Sequence, residues 1–361
     1  MQVIKVHSAI RDYEVYFSDT FYFLEAFEEI QNRFYIIDSN VWSLYRDSLF
    51  SHLDPQLVMV LPIEEDRKNL YTVMEIYEAL MSRSAKRNMT MISIGGGIVQ
   101  DITGFAASTL YRGINWIFVP TTLLAQADSC IGSKTSLNFK NYKNLVGTFF
   151  PPSQIFLCPR FTKTLKNEDY FSGLGEIIKL HLMGGEQLAH ELISSLPVLM
   201  GRKDSAALLS AIEKSLMVKL GYMQDDEFDT GKRNLLNSGH CFGHAVESTS
   251  GFNIPHGQAV VIGMMFANIV AKNRGLMNAA LFEQLYCYAL QPALTAKPNR
   301  RQLDTDALFA AMKMDKKRTG DGLVLIMLTD GFKLTRIDDL SYEELTRTNQ
   351  ELQQLIGVAE L

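Results

Sequence analysis

The run SIGGGIVQD, residues 93–101, decides how this chain should fold. It closes the β-branched stretch MTMISI and opens a helix-like pattern, so Gly95, Gly96 and Gly97 fall at a strand-to-helix junction. Glycines there let the backbone approach a phosphate closely, and the helix start adds unpaired N–H donors and a favourable dipole. A glycine turn that merely joins two elements explains the run equally well. The spacing is not GxGxxG, so the ordinary dinucleotide fingerprint is absent.

Working outward, FYIID, LVMVL, INWIFVP and IFLC read as further strands. Between LVMVL and MTMISI, residues Leu70, Val73, Tyr77, Leu80 and Met81 fall on one helical stripe. This alternation predicts a parallel, helix-covered α/β sheet that collects ligands at the carboxyl ends of its strands. After Pro159 the texture changes to long amphipathic segments, EQLAHELISSLPVLM and SAALLSAIEKSLMVKLGYM, with one late strand, LVLIML, at 323–328. The expected division is an α/β nucleotide-binding domain over 1–165 and a mainly helical domain over 166–361.

At 361 residues the chain exceeds what one core usually supports, and 47% hydrophobic with 21% charged residues is the balance of an ordinary folded protein. A net charge of -5 without a dense basic run argues against nucleic-acid and membrane-surface partners. The four cysteines, Cys130, Cys158, Cys241 and Cys287, show no CxxC pairing, which fits a reducing cytoplasm and no cysteine zinc site. The N-terminus lacks a signal-peptide pattern, and no apolar run is long enough to span a bilayer.

The polar stretch PTTLLAQADSCIGSKTSLN, 120–138, offers Thr121, Thr122, Asp128 and Lys134 to hydroxyls and phosphate, and NYKNLVG adds Lys143 and Asn144. A solvated charged loop is the alternative for any one of these lysines; their clustering beside the glycine run weighs against it. In GLGEIIK, Glu176 and Lys179 share a helix face, as a surface ion pair also would. KRNLLNSGHCFGHAVES carries Arg233, Asn237, His240 and His244 near i, i+4 spacing, which predicts one stripe, and NIPHG adds His256. A lone buried histidine is more often a satisfied core residue than a ligand. An HxxxH pair followed by a third histidine, with a glutamate, favours a divalent-metal site such as zinc with a position open to substrate oxygens. HExxH is absent, and with it the base of a zinc peptidase. Near the C-terminus, Lys316 and Lys317 of MDKKRTGDG suit an anionic group or an exposed basic turn equally.

Taken in order and spacing, GGGIVQD, GFAASTLYRG, VPTTLLAQADSCIGSKTSLN, KNLVGTF, GLGEIIK, RNLLNSGHCFGHAVES, IPHGQAVVIGM and DKK resemble the motifs of 3-dehydroquinate synthase and its sugar phosphate cyclase relatives. The resemblance runs from about Asp38 to the LVLIML strand. It implies an NAD- and zinc- or cobalt-dependent homodimeric carbon–oxygen lyase, with a Rossmann-like N-terminal domain and a helical C-terminal domain. It implies Glu176, His240 and His256 as metal ligands, and His244 as a substrate contact. It also implies substrate-pocket roles for Asp128, Lys134, Asn144, Lys179, Lys219, Arg233, Asn237 and Lys316, with Arg112 lent across the dimer to the substrate phosphate. NAD contacts are implied for Asp38, Glu65, Lys68, Gly96, Gly97, Asp101, Thr121, Thr122, Lys143, Phe161 and Thr164. The implied chemistry is transient oxidation of a seven-carbon sugar phosphate, β-elimination of phosphate, hydride return and intramolecular aldol closure.

The family's usual GGGxxGD, GGKTG and NHPxGKN stand here as GGGIVQD, GSKTS and NFKNYKN, which places Gln100, Ser133, Ser136 and Phe139 at departures from the pattern. The Phe139 region is similar to relatives that cyclise sedoheptulose 7-phosphate to valiolone-type cyclitols. Lys219, Arg233, Asn237 and Lys316 instead keep the pattern for a carboxylate-bearing substrate. A buried cation without its carboxylate is costly, so 3-deoxy-D-arabino-heptulosonate 7-phosphate is the favoured substrate. Metal-dependent polyol dehydrogenases, distantly similar in architecture, are the alternative from another reaction class.

Overall fold

The computed structural model describes residues 2–140, 142–314 and 322–358. The chain divides into two compact units, Met1–Leu165 and Lys166–Leu361.

The first unit holds strands β1 (Gln2–Val6), β2 (Tyr13–Phe17), β3 (Arg33–Asp38), β4 (Val58–Leu61), β5 (Thr90–Gly95), β6 (Asn115–Pro120), β7 (Lys134–Phe139), β8 (Tyr142–Phe149) and β9 (Gln154–Leu157). Its α-helices are α1 (Ser39–Tyr45), α2 (Leu70–Met81) and α3 (Gly97–Thr109). Seven strands form one sheet in the order β1-β2-β9-β6-β5-β3-β4, parallel except for the β1–β2 pair. The central strands are apolar along their whole length because both faces are covered; every residue of β5 is buried.

Strand register aligns the strand ends. Asp38 pairs with Leu61 and Gly95 with Pro120, so β3, β4, β5 and β6 end level at one edge of the sheet. A parallel sheet therefore delivers Asp38, Glu65, Lys68, Gly96, Gly97, Thr121 and Thr122 to one side from distant points in the chain.

Three features differ from the sequence reading. The buried face of α2 is Thr72, Val73, Ile76 and Leu80, while Leu70 and Met81 are exposed, so the stripe is rotated from the one expected. β1 and β2 extend the sheet without a strong apolar run of their own. The polar stretch after residue 133, for which no strand was expected, is an antiparallel hairpin, β7–β8.

The second unit is mainly helical: α4 (Asn167–Met183), α5 (Glu186–Met200), α6 (Ser205–Met223), α7 (His240–Thr249), α8 (His256–Asn273), α9 (Ala279–Leu285), α10 (Gln291–Ala293), α11 (Thr305–Lys313) and α12 (Tyr342–Leu355). The expected late strand is β10 (Leu323–Thr329), paired antiparallel with β11 (Lys333–Leu340). At its centre, α8 is buried from Gly257 to Ala271, and α4 and α7 pack on it. Among the described residues, no helix is long and apolar enough to cross a membrane.

Candidate functional site

In the first unit, α3 starts straight after β5, and its cap residue Gly96 makes no side-chain capping bond. The helix thus presents its first N–H groups unblocked at the carboxyl edge, the arrangement that receives a phosphate. A Cβ on Gly96 would stand 2.8 Å from Thr122 Cγ2, so any side chain there would displace the Thr122 side chain. Asp38, at the end of β3, accepts from the N–H groups of Asn40 and Val41 through Oδ1 and caps α1.

Lys68, Asp101 and Asn144 meet beside that turn. Lys68 Nζ lies 2.6 Å from Asp101 Oδ2 and donates to Asn144 Oδ1 at 2.6 Å. Ser136 Oγ is 2.9 Å from each of the same two oxygens, and Ser136 N–H donates to Asp101 Oδ1 at 3.1 Å. Burial pushes the Asp101 carboxyl above its ordinary value, with Lys68 opposing. Glu65 joins the group: its Oε1 accepts from Asn138 Nδ2 at 2.8 Å and lies 3.7 Å from Lys143 Nζ. Asn144 sits at φ 53, so the hairpin strand is bent where it meets this network.

Two departures from the family pattern thereby acquire a structural account. Ser136 is built into the Lys68–Asp101–Asn144 network. Gln100 donates from Nε2 to Ser129 O at 2.7 Å and accepts from Ser129 Oγ at 2.7 Å, tying α3 to the π-helical turn Ala125–Ser129 that carries Asp128. Phe139 is 45% exposed at the end of β7. Phe161 packs among core aromatics, 4.7 Å from Phe21 and 5.6 Å from Tyr45 between ring centroids, so its ring is sequestered in the core. Thr164 is exposed after β9, and its hydroxyl donates to Phe161 O. Exposed Arg112 lies in a turn where Tyr111, Arg112 and Gly113 all have positive φ (53, 64 and 118).

In the second unit the expected ligands converge from three helices: Glu176 within α4, His240 as the first residue of α7 and His256 as the first of α8. Their ligand atoms lie within 4.8 Å of one another. Glycines beside the ligands make this possible. A Cβ on Gly257 would stand 1.7 Å from Ser172 O, and one on Gly175 would stand 2.3 Å from Gly257 O, so α4 and α8 touch backbone to backbone next to Glu176 and His256. Gly257 N–H also donates to Ser172 Oγ at 2.9 Å.

Gly239, at φ 76, ends the preceding 3-10 turn Lys232–Asn237 and starts α7 anew at His240. This corrects the single stripe expected from spacing: Arg233 and Asn237 lie on the turn, and only His240 and His244 share the helix. Asp226 orders the same loop by accepting from the N–H groups of Thr230, Gly231 and Arg233, bonds that push its carboxyl down to about 2. Nothing in the sequence marks Asp226 as the residue that holds Arg233 in place.

Glu176 is fully buried, with Oε1 3.4 Å from His240 Nε2 and 3.2 Å from His256 Nε2. A tetrahedral metal with bonds of about 2.0–2.1 Å has ligand-to-ligand edges of roughly 3.3 Å, so these spacings suit zinc or cobalt. Both histidines have their Nδ1 engaged, His240 with Ser238 O at 3.1 Å and His256 with Glu247 Oε2 at 3.2 Å, which turns both Nε2 atoms toward Glu176. Burial pushes the Glu176 carboxyl up, but Lys179 and the two histidines outweigh it and hold it well below the usual carboxylate range. The residues present therefore fit a divalent metal.

His244 is exposed, its ring centroid 5.2 Å from that of His240. Lys179 is buried rather than on the surface, its Nζ 2.5 Å from Glu176 Oε2. Lys219 on α6 and Arg233 on the adjoining turn are 7% and 4% exposed. Asn237 donates from Nδ2 to Asn234 O. Lys134 is exposed at the start of β7, and Asp128 is half-buried. Lys316 and Lys317 lie outside the described residues. His181 is a core histidine, 2.8 Å through Nδ1 from Ile177 O and pushed down to about 4 by burial.

Residues 58–172 match the model of the 3-dehydroquinate synthase N-terminal region, and 173–318 match that of its C-terminal region. A 3-dehydroquinate synthase of Clostridium tetani is 33% identical over 96% of this chain and 89% of its own length. One from Streptococcus pneumoniae is 35% identical over 86% of this chain and 87% of its own. Among solved structures, 2-epi-5-epi-valiolone synthase from Streptomyces hygroscopicus, with NAD+ and Zn2+ bound, superposes with a TM-score of 0.83 at 26% identity, over 96% of this chain and 99% of that one. With the eight motifs in order and the Glu–His–His centre assembled, the chain belongs to the 3-dehydroquinate synthase family.

Proposed function

We propose that the protein is a 3-dehydroquinate synthase, converting 3-deoxy-D-arabino-heptulosonate 7-phosphate to 3-dehydroquinate and phosphate with NAD and a divalent metal. Relatives bearing that name at 33–35% identity over most of the chain support it. The observation that carries the choice of substrate is the burial of two cationic side chains, Lys219 and Arg233, on adjoining elements of the second unit. Arg233 already donates through Nη1 to Glu227 O, and a planar guanidinium held in this way beside Lys219 suits a substrate carboxylate, which Arg receives bidentately.

When bound, NAD supplies a hydride acceptor that returns the hydride, and the metal a Lewis acid for substrate oxygens. Asp38, Glu65, Lys68, Gly96, Gly97, Asp101, Thr121, Thr122, Lys143, Phe161 and Thr164 line the dinucleotide region at the strand ends, Phe161 through its backbone. Glu176, His240 and His256 hold the metal. Lys134, Asn144 and Arg112 hold the phosphate, which takes the proton in its own elimination. His244, Lys179, Asn237, Asp128 and Lys316 orient the sugar hydroxyls and carboxylate. The first unit serves NAD and supplies Arg112, Asp128, Lys134 and Asn144 to the substrate, and the second holds the metal. The enzyme works as a cytoplasmic homodimer in which Arg112 reaches the partner's substrate; its free cysteines accord with a reducing compartment.

The test is phosphate release by purified protein with NAD and zinc or cobalt. The heptulosonate phosphate should release phosphate and sedoheptulose 7-phosphate should not. The reverse preference would reassign the enzyme to the cyclitol branch, to which the valiolone synthase likeness and exposed Phe139 point.

A further inference from the structure

His256 uses its two ring nitrogens differently. Nε2 lies 3.2 Å from Glu176 Oε1, in the ligand cluster, while Nδ1 lies 3.2 Å from Glu247 Oε2, outside it. Glu247 stands on α7, two turns after His240. The helix that supplies one ligand thus also supplies a carboxylate behind another ligand, at the first residue of α8. His240 has only the weaker dipole of a backbone carbonyl, Ser238 O, at its own Nδ1.

We propose that Glu247 is a positioning residue for the metal centre: it accepts the proton of His256 Nδ1–H, so that Nε2 keeps its lone pair and points at Glu176. The inference rests on the metal reading of Glu176, His240 and His256. A carboxylate behind a ligating imidazole fixes the tautomer, locks the ring plane and raises ligand basicity, and its removal typically costs about 10–100-fold in metal affinity. Glu247 meets the geometric requirement without entering the ligand cluster. The ligand atoms of His244, Glu247 and His256 also lie within 4.8 Å of one another, but that set borrows His256 and includes exposed His244. It reads as the outer side of one centre, not as a second ion site.

The experiment uses the full chain and Co2+ as the probe, with chelator competition for affinity, elemental analysis for stoichiometry and the visible cobalt spectrum for geometry. Glu247→Ala should bind one Co2+ about 10–100-fold more weakly with altered visible bands. Glu247→Gln, whose amide oxygen still accepts from Nδ1–H, should recover much of the affinity and the native spectrum. Unfolding midpoints of the metal-free variants show whether the helices still pack, and a purely structural role would leave the bands of bound Co2+ unchanged. If His240→Ala loses Co2+ but Glu247→Ala keeps native affinity and spectrum, Glu247 has no positioning role and the metal reading stands. A fall from two ions to one in Glu247→Ala would make it a ligand and overturn the proposal. Native Co2+ binding by His240→Ala would overturn both.

Discussion

Lys179 Nζ lies 2.5 Å from Glu176 Oε2 one turn along α4, and both side chains are buried. Lys179 keeps ionised a carboxylate that burial alone would push toward its protonated form in the core of the helical unit. Removing one partner of a buried pair leaves an uncompensated charge and costs about 3–5 kcal/mol. Lys179→Met should therefore destabilise the metal-free protein by that order, and zinc should restore much of the loss by supplying a cation to Glu176. Urea unfolding with and without zinc measures both; equal losses in the two conditions would mean that Glu176 does not face the metal.

The two histidines of the HxxxH pair should separate. His240→Ala should lose bound metal and activity together, whereas His244→Ala should keep its metal and lose turnover. Elemental analysis beside phosphate-release rates decides the matter, and equal metal loss in both variants would contradict the assignment.

Close packing at the ligands makes a prediction about glycines. Gly257→Ala places a Cβ 1.7 Å from Ser172 O, which backbone must move to accommodate, and overpacking of this kind costs about 1–3 kcal/mol or more. Metal affinity should fall with it, because α4 and α8 must part. Gly221→Ala, on α6 with nothing near its Cβ, should instead gain up to about 1 kcal/mol from helix propensity. Thermal unfolding of the two variants should shift in opposite directions.

His181 gives the acid limb a definite shape. Its folded pKa of about 4 lies below the ordinary 6.5, so the unfolded chain takes up the proton first as pH falls. Its contribution is intact above about pH 6.5 and is lost progressively toward pH 4, by ~3 kcal/mol in all. His181→Gln should flatten the fall in stability between those values; an unchanged slope would show that the histidine is protonated in the folded core.

The central strands were legible because burial on both faces makes them continuous apolar runs. The β7–β8 hairpin was not, since Ser136, Asn138 and Asn144 are polar residues held by one another and by Asp101, Lys68 and Glu65, not by apolar alternation. On α2, the apolar residues Leu70 and Met81 mis-set the stripe because Thr72 occupies a buried position. Spacing put His240 and His244 on a par. What separates them is tertiary: α8 approaches α4 closely enough, at Gly257, for His256 to share Glu176 with His240. The resemblance supplied that ligand set, and the geometry gives its physical reason. Glu247 escaped notice because a glutamate three residues after a histidine reads as an ordinary surface charge.

The most direct test of the cyclase assignment is to measure phosphate and NADH together during turnover of 3-deoxy-D-arabino-heptulosonate 7-phosphate by the NAD- and zinc-loaded protein. A cyclase that returns its hydride should release phosphate over many turnovers with no net NADH. NADH accumulating in step with substrate consumption, or no phosphate at all, would contradict it.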